Sequence, residues 1–311
     1  MSEARLKTSE RRVALVTGAT GFVGGHLVRR LLREGWQVHV VSRVGSQLPN
    51  THELSQVISH IHDSSTEGMV RCVEQAKPDV VFHLASLFLA QHAAKDVDSL
   101  IQSNVQFGNQ LLEAMRVNKV CRIINTGTSW QHYNNKDYNP VCLYAATKQA
   151  FEAILEYYVQ ACGFKAITLK LFDTYGPNDA RPKLFYLLKK AAESGVPLDM
   201  SLGEQLIDLV HIDDVVAAYL LAADRLQCEK VIHHEQYAVS SGELVSLKEL
   251  VLLYAQVANQ SISVNWGARQ YREREVMLPW SAGQLLPGWS IRMRLADGLQ
   301  TITNNKCTEN D

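Results

Sequence analysis

The order of apolar runs along the chain predicts an α/β fold: a doubly wound parallel sheet followed by a smaller C-terminal α+β cap. Three observations carry this reading. Short β-branched runs alternate with longer amphipathic stretches from Val13 to Leu171, a glycine-rich turn joins the first run to the first amphipathic stretch, and the alternation loosens after Leu171. Parallel strands need crossovers of about a dozen residues or more, usually helical, and the spacing of the runs allows this.

Taken in order, Val13 to Thr17 reads as a strand, Val23 to Glu34 as a helix, and Gln37 to Ser42 and Val57 to Ile61 as strands. Asp79 to Leu84 (strand), Val97 to Arg116 (helix), Cys121 to Asn125 (strand), Leu143 to Cys162 (helix) and Ala166 to Leu171 (strand) follow. Beyond them, Tyr175-Gly176-Pro177-Asn178 signals a turn, and helices are expected at Lys183 to Ser194, Asp213 to Leu226 and Ser246 to Asn259. Residues 12–172 are expected to form the dinucleotide-binding unit, with 204–236 returning to it, and residues 173–203 and 237–303 the cap. The first eleven residues and the tail from Asn304 to Asp311 are expected to be mobile.

A chain of 311 residues, 46% hydrophobic, can bury an ample core, and its formal net charge of -1 gives no general attraction to nucleic acid or anionic lipid. A small-molecule partner is expected, with neither nucleic acid nor membrane. The six cysteines lack a C-x-x-C pair and read as reduced thiols, and no metal-ligand spacing occurs. Met1 to Arg12 lacks the apolar core of a secretory signal, and no run approaches the roughly 20 apolar residues of a membrane span, so a cytoplasmic location is expected.

Gly18, Gly21 and Gly24 form G-x-x-G-x-x-G between the first strand and the first helix, with Thr20, Phe22 and Val23 inside the turn. Such a turn lets backbone approach a pyrophosphate while the helix N-terminus offers free N–H donors, which is the Rossmann mode of binding a dinucleotide. At the end of the second strand, where a carboxylate would bind the ribose hydroxyls of NAD, stand Ser42 and Arg43. A hydroxyl and a guanidinium suit a 2′-phosphate, so NADP(H) is favoured, with NAD(H) possible. Asp63 is either an adenine contact or a helix N-cap.

Tyr144 and Lys148 make a Y-x-x-x-K pair near the start of a helix, on one face. A cation one turn from a phenol stabilises its phenolate, suiting the pair to proton exchange with a carbonyl or alcohol oxygen. The strand end Asn125-Thr126-Gly127-Thr128-Ser129 offers hydroxyls to orient that oxygen, Thr128 first, with Ser129 and Thr126 as alternatives. Trp130 and His132 are candidates to line the site. His83, His211 and the His233-His234 pair read as structural histidines.

Together the glycine turn, His83-Leu84-Ala85-Ser86, Asn104, the Thr-rich strand end, Tyr144/Lys148, Leu171 to Pro177 and Asp208 to Val215 resemble the extended short-chain dehydrogenase/reductases, the NAD-dependent epimerase/dehydratase family, over roughly residues 13 to 225. Thr126 to Asn135 and Arg272 to Met277 look most like the CDP-abequose and paratose synthases, 4-ketoreductases of deoxyhexose biosynthesis. The resemblance implies a nucleotide-linked deoxysugar as partner, a cap gripping its diphosphate, and a homodimer through the helices at 97–116 and 143–162. It implies cofactor contacts at Leu84, Ala85 and Asn104, the last supporting Lys148, and substrate contacts at Ser86, Ser129 and Trp130.

Three departures bear on the activity. Ser129 and Trp130 follow Thr128 where the family's dehydratases carry Asp-Glu, which argues against dehydration. Ile207 stands where many relatives have a diphosphate-binding Arg, leaving Lys183, Arg272 and Arg274 as candidates for that charge. Asp173 replaces the usual Asn before Tyr-Gly-Pro. The resulting expectation is NADPH-dependent reduction of a nucleotide-linked 4-keto-6-deoxyhexose, with a nucleotide-sugar epimerase or a non-catalytic NADP-binding sensor or scaffold as alternatives.

Overall fold

The computed structural model describes residues 11–46, 48 and 51–303. The expected mobility of residues 1–10 and 304–311 therefore lies outside the described residues, as does Cys307. Arg11, expected to be mobile with its neighbours, is instead tethered through Nε to the Gly35 carbonyl at 2.8 Å. The five described cysteines are free thiols.

Seven strands pair in parallel: β1 (Val13–Thr17), β2 (Gln37–Arg43), β3 (Ile58–His62), β4 (Val80–His83), β5 (Arg122–Thr128), β6 (Lys165–Leu171) and β10 (His234–Val239), in the order β10-β6-β5-β4-β1-β2-β3. This is the doubly wound parallel sheet predicted. Its inner strands β1, β4 and β5 bury apolar side chains on both faces because helices cover both, whereas the edge strand β3 is largely exposed. Within β1, Ala14 and Val16 join one core with Leu27, Val28 and Leu31 of α1 (Phe22–Arg33) and Tyr219 and Ala222 of α7 (Ile212–Gln227). Leu15 points oppositely, to Met69 and Val73 of α2 (Thr66–Ala76), Leu111 and Met115 of α4 (Phe107–Val117), and Phe151 and Leu155 of α5 (Leu143–Cys162). Truncating a fully buried leucine such as Leu27 to alanine costs about 2–5 kcal/mol.

The sequence reading omitted α2, whose eleven residues include Gly68 and carry a short apolar stripe; Ser65 caps it by accepting from the Gly68 amide at 2.9 Å. The helix expected from Val97 to Arg116 is one uninterrupted helical run, α3 (Val97–Ile101) and α4 joined by a π-helical turn (Gln102–Gln106). Asn104 lies in that turn, 2% exposed, and its side-chain partners explain why a polar residue is tolerated there.

After β6 come β7 (Asp173–Tyr175), α6 (Leu184–Ser194), β8 (Leu198–Met200) and β9 (Leu206–His211), and after β10 come β11 (Leu244–Ser246), α8 (Leu247–Ala258), β12 (Val264–Trp266) and α9 (Leu295–Thr303). They form a three-stranded sheet, β11-β9-β7, and the pair β12-β8. A separate core of Tyr175, Leu188, Leu247, Leu250, Val251, Tyr254 and Leu299 holds them together. Asp208 fastens this region by accepting from the Ser241 amide at 2.8 Å and from the Ser240 and Ser241 hydroxyls.

Candidate active site

The glycine turn follows β1 at the carboxyl edge of the sheet. Gly18 has φ +78°, and a Cβ there would lie 2.6 Å from the Ala85 amide nitrogen; at Gly24 a Cβ would lie 2.1 Å from the Gly18 carbonyl oxygen. Both glycines are thus required by close backbone packing. α1 begins at Gly21 with no side-chain cap and no acidic residue in its first turn. Its first N–H groups are available to an anion, so the turn fits a dinucleotide pyrophosphate. Thr20 is exposed and Phe22 and Val23 half-buried around that opening.

Ser42 and Arg43 close β2, and Arg43 is exposed with no carboxylate within 4.0 Å among the described residues. Asp63 accepts from the Ser65 amide and hydroxyl and from Arg71, which hold its carboxyl below the usual carboxylate range, the Ser65 bonds most strongly. It buttresses the start of α2, while Ser65 is the N-cap itself. Leu84 and Ala85 pack against Gly18.

Tyr144 and Lys148 are both buried on α5, with Lys148 Nζ 5.9 Å from the Tyr144 ring centroid. Burial pushes the Tyr144 hydroxyl well above its ordinary value, partly offset by the Ser86 hydroxyl, so the phenol is held protonated. Burial also pushes Lys148 down to about 8, partly offset by Glu152 one turn further along.

The three candidate hydroxyls of β5 part company. Thr126 donates to the His83 carbonyl at 2.8 Å and pairs with the Tyr219 hydroxyl at 2.6 Å, which commits it to the interior. Thr128 is fixed at the strand end, its amide donating to Gln131 Oε1 at 2.9 Å and its hydroxyl accepting from the Trp130 amide at 3.3 Å. Ser129 and Trp130 line a cavity of about 1160 Å³ between the sheet edge and the smaller sheets, with Lys183, Arg272 and Trp280.

Asn104 makes no direct side-chain bond to Lys148. Its Oδ1 accepts from the Leu87 amide at 2.7 Å, and its Nδ2 donates to the Leu87 carbonyl at 3.0 Å and to Thr147 Oγ1 at 2.9 Å. A single buried amide therefore ties the loop after β4 to α5.

Of the cations lining the cavity, Arg181, Lys189 and Arg272 are paired with carboxylates, whereas Lys183 and the exposed Lys190 and Arg269 have none within 4.0 Å among the described residues. Arg272 makes a two-bond pair with Glu275, its Nε 2.8 Å from Oε2, and its guanidinium stands 5.2 Å from the Trp130 ring centroid. Arg181 pairs in the same way with Asp179 while its guanidinium covers Phe22 at 4.4 Å, and Arg274 bonds Asn139. Lys183 has no carboxylate within 4.0 Å among the described residues. Burial lowers its pKa, partly countered by Asp173. It directly precedes α6, whose N-terminus has neither side-chain cap nor acidic first turn. Asp173 lies in the cavity wall, where enclosure raises its pKa and Lys183 and Arg272 lower it.

His83, His211 and His234 are held by interior hydrogen bonds, while His132, a candidate to line the site, does line the cavity. Burial pushes His83 down to about 3, and its Nδ1 pairs with Thr17 Oγ1 at 2.9 Å. His211 accepts from the Asp213 amide and bonds Thr301, and His234 bonds Thr168 and Glu156. His132 bonds the Lys136 carbonyl and Lys170 and stacks on Trp280, ring centroids 3.9 Å apart. Sequence reasoning missed Phe88, Arg181 and Trp280, because a lone aromatic or arginine in a loop carries no local pattern.

The model of the NAD dependent epimerase/dehydratase family matches residues 14–237. The chain belongs to that family. Among its family relatives, a CDP-abequose synthase of Salmonella muenchen is 26% identical over 298 residues, covering 94% of this chain and 97% of the relative. A UDP-glucose 4-epimerase of Mycolicibacterium smegmatis is 24% identical over 306 residues, covering 92% and 95%. Among solved structures, MoeE5 in complex with UDP-glucuronic acid and NAD superposes with a TM-score of 0.80 at 26% identity, covering 94% of this chain and 98% of that one. The UDP-glucose 4-epimerase of Brucella ovis in complex with NAD reaches 0.82 at 19% identity, covering 94% and 98%, which shows the shared fold. The geometry of the glycine turn fits a nicotinamide dinucleotide, in keeping with the family. No helix among the described residues is long and apolar enough to cross a membrane, and no cluster of three His, Cys, Asp or Glu side chains among them could hold a metal ion.

Proposed function

We propose that this protein is an NADPH-dependent ketoreductase acting on the 4-keto group of a nucleotide-linked 4-keto-6-deoxyhexose. The observation that carries the reading is the buried Tyr144 with Lys148 5.9 Å from its ring, next to a strand end that supplies hydroxyls and an indole but no carboxylates. A reduction needs one proton donor and an oriented carbonyl; water elimination needs an additional acid and base, and Ser129 and Trp130 provide neither. The coverage and identity of the CDP-abequose synthase relative support the same substrate class.

When bound, NADPH supplies the hydride. Tyr144 donates its proton to the forming alkoxide, and the Lys148 ammonium stabilises the phenolate left behind. Thr128, held by Gln131, orients the carbonyl oxygen, with Ser129 at the cavity surface. Gly18, Gly21 and Gly24 seat the pyrophosphate, and Ser42 and Arg43, which has no carboxylate within 4.0 Å among the described residues, receive the 2′-phosphate. Lys183 and the α6 N-terminus meet the substrate diphosphate in place of the arginine missing at Ile207. Arg272, neutralised by Glu275, shapes the wall over Trp130.

Self-association through α3, α4 and α5, where Val97, Ile101, Val117 and Tyr157 are exposed, completes the proposal; a monomeric mass in solution would remove that part. The activity is tested by following absorbance of NADPH and NADH with enzymatically generated CDP-, dTDP- and UDP-4-keto-6-deoxyglucose. Substrate-dependent loss of NADPH, faster than of NADH, is expected. Turnover with neither cofactor would remove the reading.

A further inference from the structure

The loop after β4 brings a large apolar ring to the proposed reacting centre. Phe88 is 42% exposed and lines the cavity. Its ring packs edge-on against Tyr144, centroids 5.0 Å apart, and leans on Trp130 at 5.5 Å. The Lys183 ammonium stands 5.0 Å from the same ring. An exposed phenylalanine alone means little. Here the backbone beside it is fixed, since Asn104 holds both the amide and the carbonyl of Leu87 and bonds Thr147, one residue before Lys148. The ring is thus registered to the catalytic helix by a buried, fully used amide rather than left on a free loop.

This divides the surroundings of the reacting carbon into two sides. Ser129 brings a hydroxyl to the cavity and Ser86 bonds Tyr144, whereas Phe88 and Val141 present only ring and C–H surface and Trp130 presents its ring with one indole N–H. The Phe88 ring itself offers no hydrogen bond, so a hydroxyl pressed against that ring would be desolvated there without compensation from it, while the nearby donors, Lys183 and Arg272, are placed to meet charge.

We propose that Phe88 is a specificity-determining residue: its ring, held over Tyr144 by the Asn104 clamp and backed by Trp130, receives the deoxygenated C6 of the sugar and disfavours its 6-hydroxy counterpart. The inference rests on the ketoreductase reading and names the residue that enforces the deoxysugar preference.

The test is calorimetric binding of CDP-6-deoxyglucose and CDP-glucose, which differ by one hydroxyl, to the NADP⁺-loaded enzyme, with the dTDP and UDP pairs in parallel. Wild type, Phe88→Ser and Phe88→Leu are compared, and unchanged NADP⁺ affinity reports that each variant is folded. The wild type is expected to bind the deoxy ligand roughly 10- to 100-fold more tightly. Phe88→Ser should bring the two within about threefold, mainly by gaining affinity for the hydroxy ligand, and Phe88→Leu should keep the preference. Equal binding by the wild type, or a wild-type ratio retained in Phe88→Ser, overturns the inference while leaving the ketoreductase reading intact. If the wild type binds NADP⁺ but none of the nucleotide sugars, the ketoreductase reading fails and takes the inference with it.

Discussion

The starts of α1 and α6 are both helix N-termini without side-chain caps or acidic first turns, yet they are built differently. At α1 the chain presents backbone alone: Gly18 and Gly24 have no room for a side chain, and the anion site is complete within seven residues of sequence. At α6 the backbone is supplemented by side-chain charge, and with Arg181 paired to Asp179 and Arg272 to Glu275, half-buried Lys183 stays without a carboxylate within 4.0 Å among the described residues, as do the exposed Lys190 and Arg269. The difference is one of information. A backbone site is written locally, whereas a charge site is defined by which cation remains unpaired after the chain has folded.

The largest expected effect lies at the reaction centre between these two ends. Tyr144→Phe should lower kcat by about 10²- to 10⁴-fold with cofactor affinity retained, since it removes the proton donor and little else. Steady-state kinetics and NADPH fluorescence titration would separate the two quantities. A variant retaining most of its kcat would move proton donation elsewhere.

Next comes the backbone end. Gly24→Ala should weaken NADPH binding by about 100-fold or more and lower the melting temperature, because the added methyl meets the Gly18 carbonyl oxygen at 2.1 Å and the turn must open. At the other end, Lys183→Ala should raise KM for the nucleotide sugar about 10- to 100-fold while kcat changes little, as expected for lost charge-assisted binding. Arg272→Ala should have a smaller effect on KM, since Glu275 already neutralises it. Equal effects of the two substitutions would show that pairing in the free protein does not predict which cation serves the diphosphate.

The smallest and most graded effect is with pH. Burial lowers Lys148 to about 8, so kcat/KM should fall as pH rises through that value and the ammonium beside Tyr144 is lost. Stability should move oppositely. Between about 8 and its ordinary 10.5 the unfolded chain binds more protons at this lysine than the folded one, so its contribution to stability rises with pH. Loss of activity with undiminished melting temperature over pH 8 to 9 would distinguish catalysis from unfolding.

How much was legible in the sequence follows the same division. α5 was readable to the residue, Leu143–Cys162, because twenty residues of strong helix formers end at Gly163 in the left-handed conformation. The parallel sheet and its glycine turn were equally plain. The three-residue strands β7, β8, β11 and β12 are too short to show a period. The π turn was read through as helix because one inserted residue hardly disturbs the apolar pattern, yet it sets the direction of Asn104. That side chain meets Leu87, 17 residues away, and Thr147, 43 residues away. Such contacts are made by the fold, so no local motif could assign Asn104 its partners or bring Phe88 to Tyr144.

The most direct test of the account is to supply NADPH deuterated at the transferring C4 position with CDP-4-keto-6-deoxyglucose and to examine both cofactor and sugar. The account predicts one NADP⁺ accumulated per sugar reduced and deuterium at sugar C4. NADPH unconsumed and no deuterium at sugar C4 would contradict it, and interconversion of the C4 epimers of a CDP-hexose, supplied separately, with no net change in cofactor would identify an epimerase instead.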